Sequence, residues 1–334
     1  MQDNYTNVLK SRVIEINVPA KFFQLMTQLR LGEWIFRGQN DCLWPLKTSL
    51  ERSPVGQWVK SSRANILLPP RVRITYSAEY NAIEKFRQLA GISRDVTPVE
   101  ILATMQHYGT PTRLLDFTKS LGVALFFSFF GRKPEQNPCI WAINFRALLF
   151  RNSILNETFK EEAAKVNIDI NDYPEEADFM VESLTSDVFL NWGKRNTILL
   201  EKITKKYINI SEEDIQDPLE LSPVELIGNN PRIAAQEGLF LIPSSFYPFM
   251  DHLGEVFGLS GPEKDKLVTA DSGDAVDSCL NDLLAENQIL IVKIIFKSDC
   301  SWVNAALKNM NITARHLFPD LQGVAQSISY EDFC

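Results

Sequence analysis

The chain has 334 residues, 45% of them hydrophobic and 23% charged, enough apolar sequence to bury a large core in one or two domains. Its net charge of −8 opposes long-range attraction to nucleic acid, and no stretch has the low-hydrophobicity, high-charge composition of a disordered tail. The longest apolar run, Val123–Phe130, is too short to span a bilayer and the N-terminus lacks the apolar stretch of a signal peptide, so a soluble, cytoplasmic protein without a membrane partner is expected.

In chain order, residues 10–30 read as a short strand followed by a helix over "FFQLMTQLR" that ends at Gly32. "WIFRGQ", Trp34–Gln39, reads as a strand closed by glycine. "SPVGQWVKSSRANILLPPRVR" has no period and carries Pro69–Pro70, which predicts an extended surface loop. From Tyr76 the spacing Tyr76, Tyr80, Ile83, Phe86, Ala90 is helical. Thr97-Pro98-Val99-Glu100 is a capping box with proline at the first helical position, so a helix starts there and Gly109 ends it. Asp116 or Thr118 can cap the next helix, "KSLGVALFFSFFG", whose all-round apolar character predicts burial in the middle of the domain. "CIWAINF", "GLFLI" and "ILIVKIIF" read as strands. Residues 151–222 look helical and acidic, and "SWVNAALKNMNITARHLFPDLQGVAQSI" reads as two helices broken by Pro319. Strands and helices mix without a strict βαβ period, which predicts an α+β fold with a mixed or antiparallel central sheet flanked by helices.

Five scattered cysteines with no two-residue-spaced pair argue against a disulfide framework and a zinc site, and three histidines are too few for a histidine-built centre, so no metal is expected. Charge is unevenly spread. Residues 30–94 hold eleven Lys/Arg against five Asp/Glu, whereas residues 151–222 hold eight against sixteen. The basic segment is either a solvated face or a phosphate-attracting one.

Three motifs hold polar groups where the pattern is otherwise apolar. Arg37 follows Trp34, Ile35 and Phe36 and precedes Gly38. A guanidinium there needs an anion: either a carboxylate such as Asp116, or a ligand phosphate, with Gly38 letting that ligand approach the backbone. In "MQHYGTPTRLLDFTKS", Gln106, His107, Tyr108, Thr112, Arg113, Asp116, Thr118 and Ser120 crowd what reads as a helix start, a natural anion site, although Asp116 can serve as a cap alone. Tyr108 beside Gly109 either stacks on a flat ring or packs on Pro111. In "NNPRIAAQEGLF", Gln236 and Glu237 precede a strand and point to opposite faces by the period of two, so one of them can share a cleft with Arg37. A G-x-S-x-G elbow, a Walker loop, G-x-G-x-x-G and H-E-x-x-H are all missing from the sequence.

"WIFRGQ" at 34–39, "ATMQHYGTPTRLLDFTKSLGVALFFSFF" at 103–130 and "NNPRIAAQEGLFLI" at 229–242, with "HLFPDLQGVAQSI" at 316–328, together resemble the FRG-domain family, a mostly bacterial group named for its Phe-Arg-Gly signature. The resemblance implies one FRG-type domain over 1–334, with core segments at about 20–150 and 223–334; residues 151–222, acidic and without motif residues, read as a helical insert outside the central sheet, a cover or a surface for a regulatory protein partner. The pattern is also similar to ADP-ribosyltransferases of the Arg–Ser–Glu type, with Arg37, then Thr118 and Ser120 before Ala124 and Phe127, then Gln236–Glu237.

That second likeness implies an ADP-ribosyltransferase-like core and an NAD-utilising enzyme acting as a bacterial toxin, phage-defence effector or regulator on a protein or nucleic-acid acceptor. Arg37 and Arg113 would hold the pyrophosphate, and Tyr108 would carry the nicotinamide. Gly38, His107 and Asp116 would line the cofactor site, while Glu237 or Gln236 would meet the ribose 2′-hydroxyl as the oxocarbenium-like charge develops. The alternative is a non-catalytic module that binds a nucleotide or nucleic-acid phosphate in the same pocket. A carboxylate aimed at the Arg37 pocket would favour catalysis, and an amide there would favour binding.

Overall fold

The computed structural model of the protein describes residues 11–29, 33–53, 70–155, 219–225, 231–245, 247–270, 289–297 and 300–319, with isolated positions beyond. Most of the acidic stretch expected to be helical, 156–218, and most of the proline-bearing loop, 54–69, lie outside the described residues.

Among the described residues seven strands form one sheet: β1 (Ser11–Ile16), β2 (Trp34–Gln39), β3 (Leu115–Thr118), β4 (Cys139–Asn144), β5 (Leu221–Val224), β6 (Gly238–Pro243) and β7 (Ile291–Phe296), in the order β1-β7-β4-β2-β3-β6-β5. β1 runs parallel to β7 and every other pair is antiparallel, so the sheet is mixed. The helices are α1 (Pro19–Gln28), α2 (Ser49–Arg52), α3 (Pro70–Ala90), α4 (Pro98–His107), α5 (Leu121–Phe129), α6 (Phe145–Leu155), α7 (Pro231–Ala235), α8 (Phe249–Phe257), α9 (Gly261–Thr269), α10 (Ser301–Asn309) and α11 (Ala314–Leu317).

Helices cover both faces of the sheet, and this is why its central strands are apolar without alternation. Along β4, Cys139, Trp141 and Ile143 join the core beneath α6 and α8, whereas Ile140 and Ala142 join the core beneath α1, α5 and α10. β2 divides in the same way. Ile35 lies on the first face, Trp34 and Phe36 on the second. Arg37 and Gln39 therefore share the side of Ile35, and Gly38 turns toward α5. A third cluster packs Ile83 of α3 and Val99, Leu102 and Met105 of α4 against Val224, Phe240 and Ile242 at the β5–β6 edge.

Local chemistry sets several boundaries. The Thr97–Glu100 capping box starts α4, and Gly109, at φ 84°, follows the α4 C-cap Tyr108. Three expectations are corrected. Leu115–Thr118 is a strand, not a helix start, because it pairs along its whole length with β6, and the α5 cap is Ser120, whose Oγ accepts from the Val123 N–H. The C-terminal stretch, expected to be two helices broken by Pro319, also breaks at Asn311, at φ 56°, with Thr313 capping α11, and helical residues resume beyond Pro319 at Leu321. The stretch expected to be an acidic insert through residue 222 meets the sheet at Leu221, where β5 begins. No described helix is long and apolar enough to cross a membrane.

Candidate functional site: a basic cavity where β2 and β3 part

β2 lies against β4 for all six of its residues but pairs with β3 only through Phe36 and Thr118. Beyond that point the two strands separate around a cavity of about 880 Å³. β2 contributes Arg37 and Gln39, β3 Asp116 and Thr118, and the end of α4 Gln106 and His107. The segment after β2 adds Trp44, Lys47 and Arg52, α5 adds Phe127 and Phe130, and Arg232 and Gln236 close the wall.

Arg37 sits where the β2–β3 ladder stops. Its Nη1 donates to the Asp116 carbonyl at 2.7 Å and lies 3.6 Å from Asp116 Oδ2, so the guanidinium takes the place of the missing strand partner. The side chain is 18% exposed, and its Nε is buried with no hydrogen-bond partner. Burial pushes the Arg37 pKa down, Asp116 opposes that shift, and the like charge of Arg52 adds to it. An arginine does not lose its proton in this range, so the strain on the charge is met by attracting an anion. Asp116 meets the need only in part: it is 60% exposed and also accepts from Gln106 Nε2 at 2.8 Å.

Around Arg37 the lining is cationic. Among the described residues of the wall, Arg37, Lys47, Arg52 and Arg232 face one acid, Asp116. Arg52 donates to the Lys47 carbonyl at 2.6 Å, and neither Lys47 nor Arg52 has an ion pair among the described residues. Arg232 stacks over the Phe318 ring at 4.7 Å. Aromatic rings from Phe36, Trp44, Phe127, Phe130 and Phe240 supply flat apolar surface beside these charges. Cationic donors next to stacking surface can take a phosphate joined to a flat ring.

Of the residues singled out from the sequence, Arg37, Gly38, His107, Asp116, Thr118 and Gln236 come together in this wall. Gly38 has a different reason for being glycine than ligand approach. A Cβ there would lie 2.1 Å from the Ala124 carbonyl oxygen and 2.6 Å from the Ser128 nitrogen, so its bare Cα lets α5 pack on β2. Thr118 Oγ1 donates to the Gln236 carbonyl at 2.7 Å and accepts from Ser120 N–H at 3.0 Å, which staples β3 to the turn before β6.

Four residues are placed elsewhere. Arg113 is 1% exposed and engaged by Glu79, with Nε–Oε2 at 2.8 Å, so it braces α3 and leaves no guanidinium for a pyrophosphate. Tyr108, 74% exposed at the α4 C-cap, lies outside the lining and packs edge-on to His107. Ser120 caps α5. Glu237 is exposed at φ 46°, because the chain makes a left-handed turn between α7 and β6 before the two-residue alternation of the strand begins. The amide of Gln236, and not the carboxylate of Glu237, reaches the cavity.

The FRG domain family model matches residues 32–137. The chain carries an FRG domain over this segment. The FRG segment contains β2, the basic residues after it, the end of α4 and all of β3 and α5, and so carries most of the cavity wall, while Arg232, Gln236 and Phe240 come from outside it. No curated protein and no solved structure matches the chain.

Reading the FRG motif from sequence left out Gln39, Asn40, Trp44, Lys47 and Arg52. Gln39 was reachable, since it stands two residues from Arg37 on the same strand face. Asn40 was not: its Nδ2 donates to the carbonyls of Phe127, Ser128 and Phe130 at the end of α5, a contact over nearly ninety residues with no local signal. Among the described residues no group of three or more His, Cys, Asp or Glu could hold a metal ion.

Proposed function

We propose that the Arg37 cavity binds a phosphorylated nucleotide, with NAD as the candidate ligand, and that the protein works as a nucleotide-recognition module. The observation that carries this reading is a wall that, among the described residues, sets four cationic side chains against one carboxylate beside stacking aromatics, with the buried Arg37 only partly neutralised by Asp116. A phosphate between Arg37, Arg52 and Lys47 would offset their mutual repulsion and accept charge-assisted hydrogen bonds.

The ribose side of the cavity favours binding over bond cleavage. Gln236 Nε2 donates to the Leu317 carbonyl at 3.0 Å, which leaves its Oε1 as an acceptor with no partner among the described residues. An amide oxygen can accept from a ribose hydroxyl. It carries no full negative charge to stabilise an oxocarbenium-like cation, and loss of one such electrostatic group costs roughly two to three orders of magnitude in rate.

A second reading, an ADP-ribosyltransferase-like enzyme on a related core, rests on the meeting of Arg37, Thr118 and Gln236 from three distant motifs and on Asp116 as a carboxylate in the wall. The two are separated by titrating NAD into the protein calorimetrically and then assaying for released nicotinamide. Saturable binding without release, unchanged in Glu237→Gln, fits the module. Release that is lost in Asp116→Asn and kept in Glu237→Gln would replace it with the transferase reading, and absence of NAD binding would reject both.

A further inference from the structure

Gln39 is 8% exposed, lines the cavity two residues beyond Arg37 on the same strand face, and has an amide whose orientation its surroundings dictate. Behind it, on β4, the wholly buried Trp141 donates its indole N–H to Gln39 Oε1 at 2.8 Å. An indole N–H can only donate, so the atom facing it is the amide oxygen. The buried Cys139 thiol lies 3.9 Å from the same oxygen, and burial pushes its pKa up to about 12, so it stays a neutral weak donor. Neither Trp141 nor Cys139 lines the cavity. The amide nitrogen has no partner among the described residues and is not among the buried unpaired atoms, so its two N–H donors open on the cavity.

Its neighbours cannot replace it. The Gln106 amide is engaged at both ends, by Asp116 and Thr112, and Asn40 Nδ2 is held by the α5 carbonyls. Arg37 and Gln39 therefore present donors of different kinds about 7 Å apart along one strand face, the spacing of two strand residues. The first suits a phosphate. The second is a neutral, directional donor beside aromatic surface.

From this geometry we infer that Gln39 is the specificity-determining residue of the cavity: its locked amide donates to a carbonyl or ring-nitrogen acceptor on the edge of the ligand's flat ring, and Trp141 is the positioning residue that holds it. The inference rests on the nucleotide-binding reading and adds that the ring, not the phosphate alone, is recognised. The shared chemistry is an acceptor-edged heteroaromatic ring, which in NAD comes from either the nicotinamide carboxamide or the adenine.

The test is calorimetric titration of the intact protein and of Gln39→Glu and Trp141→Phe, each first shown to be folded by thermal melting, with NAD, nicotinamide mononucleotide, AMP and ribose 5-phosphate. Gln39→Glu keeps size and an oxygen for Trp141 but replaces the donor with an acceptor. It should weaken binding by about tenfold or more for NAD and for whichever mononucleotide supplies the ring, and leave ribose 5-phosphate within about threefold of wild type after correction for the added charge with Gln39→Met. Trp141→Phe should weaken the same ligands less, and the Gln39→Glu, Trp141→Phe double variant should lose no more than Gln39→Glu alone. Loss of affinity for the mononucleotide of one ring identifies that ring as the source. Equal NAD affinity in wild type and Gln39→Glu, with Arg37→Lys still weakened, overturns this inference and leaves the cavity reading standing. No binding of any probe by the wild type overturns both.

Discussion

At the scale of single residues, two arginines of the FRG segment show how burial alone fails to mark a functional group. Arg113 is the more deeply buried, yet Glu79 answers its charge with a close two-point ion pair, and Pro243 offers a carbonyl at 3.4 Å. Arg37 is less buried and less satisfied, with an orphan Nε and a carboxylate shared with Gln106. The difference leads to opposite mutational outcomes. Arg113→Met should strand Glu79 in the core and lower stability by about 3–5 kcal/mol in urea unfolding, while NAD affinity of the folded fraction stays at the wild-type value. Cys139 gives a pH prediction. Its thiol pKa is raised from 9.0 to about 12, first by burial, so the folded chain holds a proton that the unfolded chain releases in that window. The stability from this group is complete below pH 9 and falls as pH rises toward 12, by at most about 1.4 kcal/mol per unit. Cys139→Ala should flatten that part of the stability curve, and an unchanged slope would show that the thiol is not the group responsible.

At the scale of elements, the cavity exists because β2 keeps one partner and leaves the other. Its pairing with β4 is complete and its pairing with β3 ends at Phe36, so everything after Phe36 on that side is free to line a cleft. α5 fixes this geometry by lying against Gly38. Gly38→Ala should therefore act through packing, since a methyl group 2.1 Å from a backbone oxygen forces helix and strand apart. The expected cost is about 1–3 kcal/mol of stability, measured by denaturant unfolding, and a variant as stable as wild type would show that Gly38 serves ligand approach instead. Lys293 ties a second element to the same cleft. From β7 its ammonium lies over the Trp141 ring at 4.5 Å and donates to the carbonyls of Cys42, at 2.6 Å, and Leu267, which anchors the segment leading to Trp44 and Lys47.

At the scale of the whole molecule, the strands β1, β2, β4, β6 and β7 and the capped helix α4 were legible because each carries a local signature: branched and aromatic runs, or a capping box. β3 was not. "LDFT" is too short and too polar to announce a strand, and Asp116 and Thr118 look like caps until β6 is seen to pair with them. β5 was hidden likewise, since "LSPV" contains a proline and sits at the edge of an acidic run. At the cavity, Arg37 and Gln236 could be picked out by chemistry, a charge or amide interrupting apolar sequence. The exclusion of Glu237 depends on a left-handed backbone angle, and the inclusion of Lys47 and Arg52 on the path of an irregular segment, neither of which a pattern encodes. The central claim is that Arg37 holds a ligand's phosphate in this cavity, and the NAD dissociation constant of Arg37→Lys against wild type, with melting temperatures recorded on the same samples, tests it most directly. Lysine keeps the charge and lacks the planar two-point fork, so the account predicts an affinity loss of about tenfold or more with a melting temperature within about 5 °C of wild type. Equal affinity in the two proteins, or a variant whose only change is a large fall in melting temperature, would contradict it.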